Sequence, residues 1–335
     1  AVVDLENGLQ PMQLDWQGET YVLVYNGELY NTEELRKELT AAGIEFFGHS
    51  DTEVVLKSYI HWGEKCLDRF NGIFAFAVWE EATQRLFFAR DRMGVKPFFY
   101  ALKNDTFIFG SEIKTLLEYP DIEPVIDRKG IIDLLFIGPG RTPGCGVFRD
   151  IHELEPGHCG TFDRNGLRTF SYWKLKDRLH TETFEETSDH VRYLVTDAIR
   201  RQLVSDVPLG TFLSGGLDSS IISAVAASHF RSLGHQLDTF SVTYTDNQKY
   251  FKTSKFQPTT DEPYIQMMAE FLGSNHHTFV VDNEQLALAL KAAVDARDLP
   301  GMADVDSSLL LFCEEIKKHV TVALSGECAD EIFGG

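Results

Sequence analysis

The spacing of hydrophobic positions changes about halfway along the chain. Through the first ~160 residues the apolar positions fall in short runs separated by turn residues, which predicts strands. Tyr21-Val22-Leu23-Val24-Tyr25 is one such run, and the Asn26-Gly27 that ends it reads as a turn signal. Gly72-Ile73-Phe74-Ala75-Phe76-Ala77-Val78-Trp79 is a second. Leu86-Phe87-Phe88-Ala89-Arg90, Phe98-Phe99-Tyr100-Ala101 and Thr106-Phe107-Ile108-Phe109 follow. Two helical stretches interrupt the series. Asn31-Thr32-Glu33-Glu34 predicts a capped helix start running to Ala41, and Ser50-Asp51-Thr52-Glu53 another running to Trp62. Strands in two layers with helices outside predict an α+β sandwich. Gly138-Pro139-Gly140-Arg141-Thr142-Pro143-Gly144 reads as a loop.

Residues 171–183 carry charge without a period and read as a linker, which predicts domains over 1–170 and 184–335. Beyond it, Phe184–Leu203 is amphipathic with helical spacing. Strands are then expected at Leu209–Leu213, Leu237–Tyr244, Thr278–Val281 and Val320–Leu324. Helices are expected at Ser219–Leu233, Tyr264–Leu272, Leu286–Asp295 and Ser307–His319. Strands alternating with helices predict a parallel sheet, an α/β domain. The polar stretch Thr245–Thr260, with Lys249, Lys252 and Lys255, is expected to be a mobile loop.

Composition narrows the partners. The 335 residues carry a formal net charge of −20. So acidic a surface repels nucleic acid and anionic membrane, which excludes both as main partners. The five cysteines, Cys66, Cys145, Cys159, Cys313 and Cys328, are scattered, without a C-x-x-C pair. That argues against zinc and a disulfide framework, and for a reducing compartment. No apolar run has bilayer-spanning length and no signal peptide opens the chain, so a cytoplasmic location is expected.

The chemistry starts at Ser214-Gly215-Gly216-Leu217-Asp218-Ser219-Ser220, where a buried strand gives way to a helix. Gly215 and Gly216 can take positive φ and lack a Cβ that would block an oxygen. Backbone N–H groups and the helix N-terminus can then face a pyrophosphate. The hydroxyls of Ser214, Ser219 and Ser220 add donors. Asp218 would repel a phosphate unless it holds Mg²⁺, which takes hard oxygen ligands. The competing reading is a tight strand-to-helix turn capped by Ser219. No Lys follows the glycines, so this is not a Walker loop.

The segment resembles the pyrophosphate loop of the N-type ATP pyrophosphatases, which cleave ATP between its α- and β-phosphates and adenylate a substrate. A second segment resembles the S-G-E-G-A-D-E-[LI]-F-G-G of asparagine synthetases: Leu324-Ser325-Gly326-Glu327-Cys328-Ala329-Asp330-Glu331-Ile332-Phe333-Gly334-Gly335. Cys328 stands where that family usually has Gly, and a Cys disfavours positive φ. The resemblance implies that ATP is bound by Leu213, Ser214, Gly215, Gly216, Asp218, Ser219, Ser220, Val242, Ser325 and Gly326. Leu213 and Val242 would flank the adenine, and Gly326 would lie near the ribose. Asp218 and Asp330 would hold Mg²⁺, and Glu327 would lie beside the reacting acyl group.

The first half carries a second resemblance. Asn26-Gly27-Glu28-Leu29-Tyr30-Asn31 is similar to the N-G-E-[IL]-Y-N of class II glutamine amidotransferases, and Ser50-Asp51-Thr52-Glu53-Val54 to their S-D-[CT]-E-[VI]. Gly72–Trp79, Arg90-Asp91-Arg92-Met93-Gly94-Val95-Lys96-Pro97 and Gly110-Ser111-Glu112-Ile113-Lys114 match in order. An Ntn-hydrolase-like fold follows from the resemblance. Amide hydrolysis by an N-terminal nucleophile needs an oxyanion hole. The Asn26 side chain and the Gly27 N–H can supply it, and Asn26, Glu28 and Asp51 would hold glutamine. Taken singly, Asn26-Gly27 could be a hairpin turn and Asp51 a helix N-cap.

That family uses an N-terminal Cys several dozen residues before the position of Asn26, and continues past its F-G-G with helices carrying a catalytic Lys. Ala1 has no nucleophilic side chain, so either the sequence is cut at both ends or the protein has lost its glutaminase. A start inside the family strand at Ala1-Val2-Val3-Asp4 favours the cut, and the chain as given is expected not to hydrolyse glutamine. The implied reaction uses glutamine, aspartate and ATP: ATP adenylates the aspartate side chain, pyrophosphate leaves, and glutamine-derived ammonia displaces AMP. A homodimer is compatible with it. Two alternatives stay open: a β-lactam synthetase or lasso-peptide cyclase that closes a ring, and a non-catalytic nucleotide-binding partner.

Overall fold

A computed structural model describes residues 3–138, 140–253 and 259–333. The central part of the expected mobile loop, residues 254–258, lies outside the described residues, as do Pro139, Gly334, Gly335 and the side chain of Asp330. The chain forms two compact units. Of the described residues, the first comprises those of 3–179 and 297–302, and the second those of 180–296 and 303–333.

In the first unit, strands β1 (Met12–Trp16), β2 (Glu19–Leu29), β3 (Gly72–Glu80), β4 (Arg85–Arg90), β8 (His158–Asp163) and β9 (Gly166–Ser171) form an antiparallel sheet in that order. A second antiparallel sheet has the order β6 (Thr106–Gly110), β5 (Phe99–Lys103), β7 (His152–Glu153). Strand β3 is apolar on both faces, and the period-2 geometry of a strand sends alternate side chains to two different cores. Phe74, Phe76 and Val78 pack with helices α1 (Thr32–Ala41) and α2 (Asp51–Trp62). Ala75 and Ala77 face the other way, and their small size leaves room for an aromatic stack. There Phe88 stacks on Phe98 and Phe107 with ring centroids 5.2 and 5.0 Å apart. A third cluster places α3 (Ile113–Leu117) against β5 through Phe99, Ile113, Leu116 and Leu299.

Two local expectations change. Asn26-Gly27 is no turn: β2 runs straight through it, with Asn26 opposite Ala75 and Gly27 opposite Phe74. Asn31 does not cap α1 with its side chain. Its amide instead donates to the Arg69 carbonyl and accepts from the Asn71 N–H, at 2.9 Å each. Ser50 does cap α2, accepting from Glu53 N–H. The pattern also misses β1, β7, β8, β9, α3 and α4 (Arg128–Ile132), all short or half-exposed.

The second unit is a four-stranded parallel sheet in the order β12 (Asn275–Val281), β11 (Asp238–Tyr244), β10 (Leu209–Phe212), β13 (Val322–Leu324). Helix α5 (Phe184–Arg201) opens with a reciprocal cap between Thr183 and Glu186. Helices α6 (Leu217–Ser232), α7 (Asn247–Tyr250), α8 (Glu262–Leu272), α9 (Asn283–Arg297), α10 (Ala303–Ile316) and α11 (Ala329–Phe333) complete the unit. The sheet is covered on both faces. Leu203, Leu209, Ala226 and Leu237 form one core, and Phe240, Phe312, Ile316 and Val320 the other. The chain steps outward from β10 to β11 and β12, then returns to the opposite side of β10 as β13. Adjacent strand ends at such a reversal diverge and leave a crevice, the usual ligand position in open parallel sheets.

Candidate functional site

Each unit brings some of its sequence-flagged residues close together. In the first, Asn26 and Glu28 are two apart on β2 and so lie on one face. Gly27 between them has to be glycine: a Cβ there would collide with the Ile73 carbonyl oxygen and with the Phe74 Cα across the ladder. Tyr25, buried on the opposite face, donates its hydroxyl to the Asp51 carboxylate at 2.9 Å, and Leu29 N–H donates to the same oxygen at 3.2 Å. These bonds bring the first turn of α2 beside β2. Burial pushes both acidic groups up. For Glu28 the charge of Lys96 opposes the rise and that of Asp51 adds to it. For Asp51 the bonds from Tyr25 and Leu29 offset part of it. Two half-buried carboxylates whose charge the fold leaves partly uncompensated favour a cationic group between them.

The remaining flagged segments support this face. Asp91 accepts N–H groups from Phe74, Met93, Val95 and Lys96 at 3.0–3.2 Å. Arg90 donates to the carbonyls of Gly94, Lys96 and Leu154. That network fixes the loop that carries Lys96. Ser111 accepts a hydrogen bond from Asn26 Nδ2 at 3.0 Å. The second amide hydrogen of Asn26 can therefore serve another acceptor. Ser111 and Lys96 fall within family-like segments, but nothing in the sequence assigns them a role. Gln10 carries no motif, yet its side-chain amide pairs with both the N–H and the carbonyl of Tyr25. A single Gln outside any strand pattern carries no signal of that. Among the cysteines, burial pushes the Cys66 and Cys159 thiols up, Cys159 to about 12, which makes them poor nucleophiles.

In the second unit, the loop after β10 and the loop after β13 meet at the topological reversal. Gly215 has φ +81°, and a Cβ on it would lie 2.9 Å from the Cβ of Tyr264. Gly216 does not use positive φ. It is the extended N-cap of α6, at φ −73° and ψ 169°. Ser219 is buried, and its hydroxyl binds Ser214 N–H and Oγ and the Gly216 carbonyl, bracing the loop instead of facing outward. Ser214 and Ser220 remain at the surface or partly so. Leu213 is buried, its N–H held by the Phe240 carbonyl, and Val242 lies two residues further along β11.

From the other side, Gly326 comes so close that a Cβ would lie 3.0 Å from the Asp218 Cβ and 3.1 Å from Ser219 N. Glu327 is exposed, and its N–H donates to Ser325 Oγ at 3.1 Å. Its charge adds to the burial that pushes the Cys313 thiol up. Cys328 does adopt positive φ, +68°, so the loop keeps a glycine-like conformation at a residue that resists it. The first N–H groups of α6 have no carbonyl partner within the helix and can face an anion. Among the described residues, no group of three or more His, Cys, Asp or Glu is arranged to hold a metal. Magnesium bound partly through a nucleotide's phosphates needs only one or two carboxylates, so Asp218 at this helix start fits that donor set.

Residues 1–173 match the family described as Glutamine amidotransferase domain, and residues 190–335 the family described as Asparagine synthase. Asparagine synthetase [glutamine-hydrolyzing] 3 of Bacillus subtilis (strain 168) is 56% identical over the whole of this chain and 55% of its own length. Asparagine synthetase [glutamine-hydrolyzing] 1 of the same organism is 37% identical, covering 100% of this chain and 50% of that protein. A putative asparagine synthetase [glutamine-hydrolyzing] 2 of Methanocaldococcus jannaschii is 33% identical, covering 100% and 65%. The chain thus spans about half the length of the two Bacillus relatives. With its first half matched end to end, the chain belongs to the glutamine amidotransferase domain family, and its second half matches the family described as Asparagine synthase.

Proposed function

We propose that the intact protein makes asparagine from aspartate, with ATP as the energy source and glutamine as the nitrogen donor. The observation that carries the reading is the meeting of Gly326 with Asp218 and Ser219 at the reversal between β10 and β13. It puts a carboxylate-bearing loop beside a helix N-terminus suited to pyrophosphate. Leu213 and Val242 would line the adenine. The Gly215–Gly216 backbone and the α6 N–H groups would receive the phosphates, with the Ser214 and Ser220 hydroxyls as further donors. Ser219 would act by holding the loop's shape. Asp218, joined by Asp330, would hold Mg²⁺, which when bound would offset the charge on the departing pyrophosphate. Glu327 would sit at the acyl carbon that ammonia attacks.

In the first unit, Glu28 and Asp51 would receive the α-ammonium of glutamine, whose charge relieves their mutual repulsion. The Asn26 amide and the Gly27 N–H would stabilise the oxyanion formed when the side-chain amide is attacked. Product analysis tests the whole scheme. With aspartate, ATP and glutamine, the intact protein should form AMP, pyrophosphate, glutamate and asparagine in equal amounts. ADP in place of AMP, or no asparagine, would overturn it.

A further inference from the structure

The segment Arg297–Met302, from the last residue of α9 to the one before α10, packs as part of the first unit. Leu299 is buried there with Phe99, Ile113 and Leu116. Asp298, beside it, accepts hydrogen bonds from Ile113 N–H at 2.6 Å and Lys114 N–H at 3.3 Å. Its other carboxylate oxygen pairs with Lys114 Nζ at 3.1 Å. The α3 helix has no cap from its own flanking side chain at Glu112. Its first N–H groups are thus satisfied by a residue 185 positions away. Asp298 is held at φ +68°, a conformation most residues avoid, which the surrounding contacts must maintain. Two residues before Ile113 stands Ser111, the acceptor of the Asn26 amide.

We infer that Asp298 is a positioning residue for glutamine hydrolysis. It fixes the start of α3, and through Ser111 it fixes the direction of the Asn26 amide. The inference rests on the oxyanion role given to Asn26 above. An amide aimed at a developing oxyanion is sensitive to small rotations, because the gain depends on alignment in the transition state. The carboxylate's bonds go to Ile113 and Lys114, and it reaches the Asn26 amide only through Ser111, so its loss should act on turnover more than on glutamine binding.

The test uses the intact protein and compares glutamine- with ammonia-dependent asparagine formation. Asp298→Ala should lower kcat for glutamine by about tenfold or more, with KM changed far less, and leave ammonia-dependent synthesis near its original rate. Asp298→Asn keeps an acceptor for the two N–H groups and should restore most of the lost kcat. Ser111→Ala should lower the same kcat, and the Asp298→Ala/Ser111→Ala double variant should be little worse than either single one, because both act through Asn26. An Asp298→Ala kcat within twofold of the original, or equal losses with both nitrogen donors, would overturn the inference. So would fully additive single effects. Asn26→Ala separates the two ideas: full activity in that variant sinks the oxyanion reading and this inference together, whereas an inactive Asn26→Ala beside a fully active Asp298→Ala sinks this inference alone.

Discussion

The two candidate sites are built in opposite ways from similar sequence signals. Both are centred on glycines next to small polar residues. In the first unit Asn26-Gly27 lies within a strand, and the glycine exists because the neighbouring strand leaves no space for a Cβ. In the second unit Gly215-Gly216 breaks a strand, and the first glycine exists because the turn needs positive φ. One site is a regular ladder that displays side chains from β2, α2 and the loop of Lys96. The other is a backbone cradle whose side chains mostly hold its own shape. A substitution in the first should therefore damage chemistry or ligand affinity with the fold intact. A substitution at the glycines of the second should damage shape first.

The largest expected effect is at Asn26. In the intact protein Asn26→Ala should lower glutaminase kcat by about 10²–10³, the usual cost of one oxyanion donor, while ammonia-dependent synthesis persists. A loss of less than about threefold would remove Asn26 from the chemistry, and the first site would lose its main contrast with the second. Gly215→Ala comes next. It forces a Cβ against Tyr264 at a left-handed position, so it should cost about 1–3 kcal/mol of stability in the second unit and abolish tight ATP binding. Thermal melting beside ATP calorimetry reads both. Unchanged affinity would mean that the loop is an ordinary turn.

Asp51→Asn sharpens the contrast from the other direction. The amide oxygen can still accept from Tyr25 and Leu29, so the fold should survive, but one charge facing the ammonium is gone. The KM for glutamine should rise about tenfold, equivalent to ~1.4 kcal/mol, with kcat changed less. The pH dependence follows from burial. The folded Glu28 and Asp51 carboxyls sit above their ordinary values of 4.5 and 3.8. Their ionisation opposes folding, so this stability is present below those values and lost as pH rises through the raised ones. Glutamine binding should follow the reverse course, with KM rising as pH falls through the same window. Asp51→Asn should flatten that profile and melt no lower than the original protein above it. An unaltered profile would show that Asp51 does not face the ammonium. The smallest effect is at Cys328, where glycine relieves the left-handed conformation. Cys328→Gly should raise stability by about 1 kcal/mol in denaturant unfolding with catalysis unchanged, and a destabilised variant would contradict the strain assigned there.

What the sequence made legible tracks how local each feature is. The Ser214–Ser220 and Ser325–Glu327 loops are legible as loops because a few consecutive residues set their backbone. The apolar run of β3 is readable as a strand, although not which face meets which core. Asn26-Gly27 misled, since its local chemistry is that of a turn and only the pairing with Ala75 and Phe74 makes it a strand. Asn31 misled likewise: its amide serves Arg69 and Asn71 across the unit instead of the helix beside it. Gln10, Ser111 and Asp298 act over 15, 85 and 185 positions, beyond the reach of any turn, cap or strand pattern.

The proposed reaction turns most on Glu327, which follows the Gly326 that lies against Asp218 and Ser219. Aspartate-dependent pyrophosphate release by Glu327→Ala, measured with nucleotide affinity and a melting curve, tests it directly. A carboxylate acting mainly in the transition state affects turnover more than ground-state binding. The variant is expected to bind ATP and melt as the original protein does, with release suppressed about a hundredfold. Normal release per folded molecule, with only the melting temperature lowered, would reduce Glu327 to a loop residue and contradict the site.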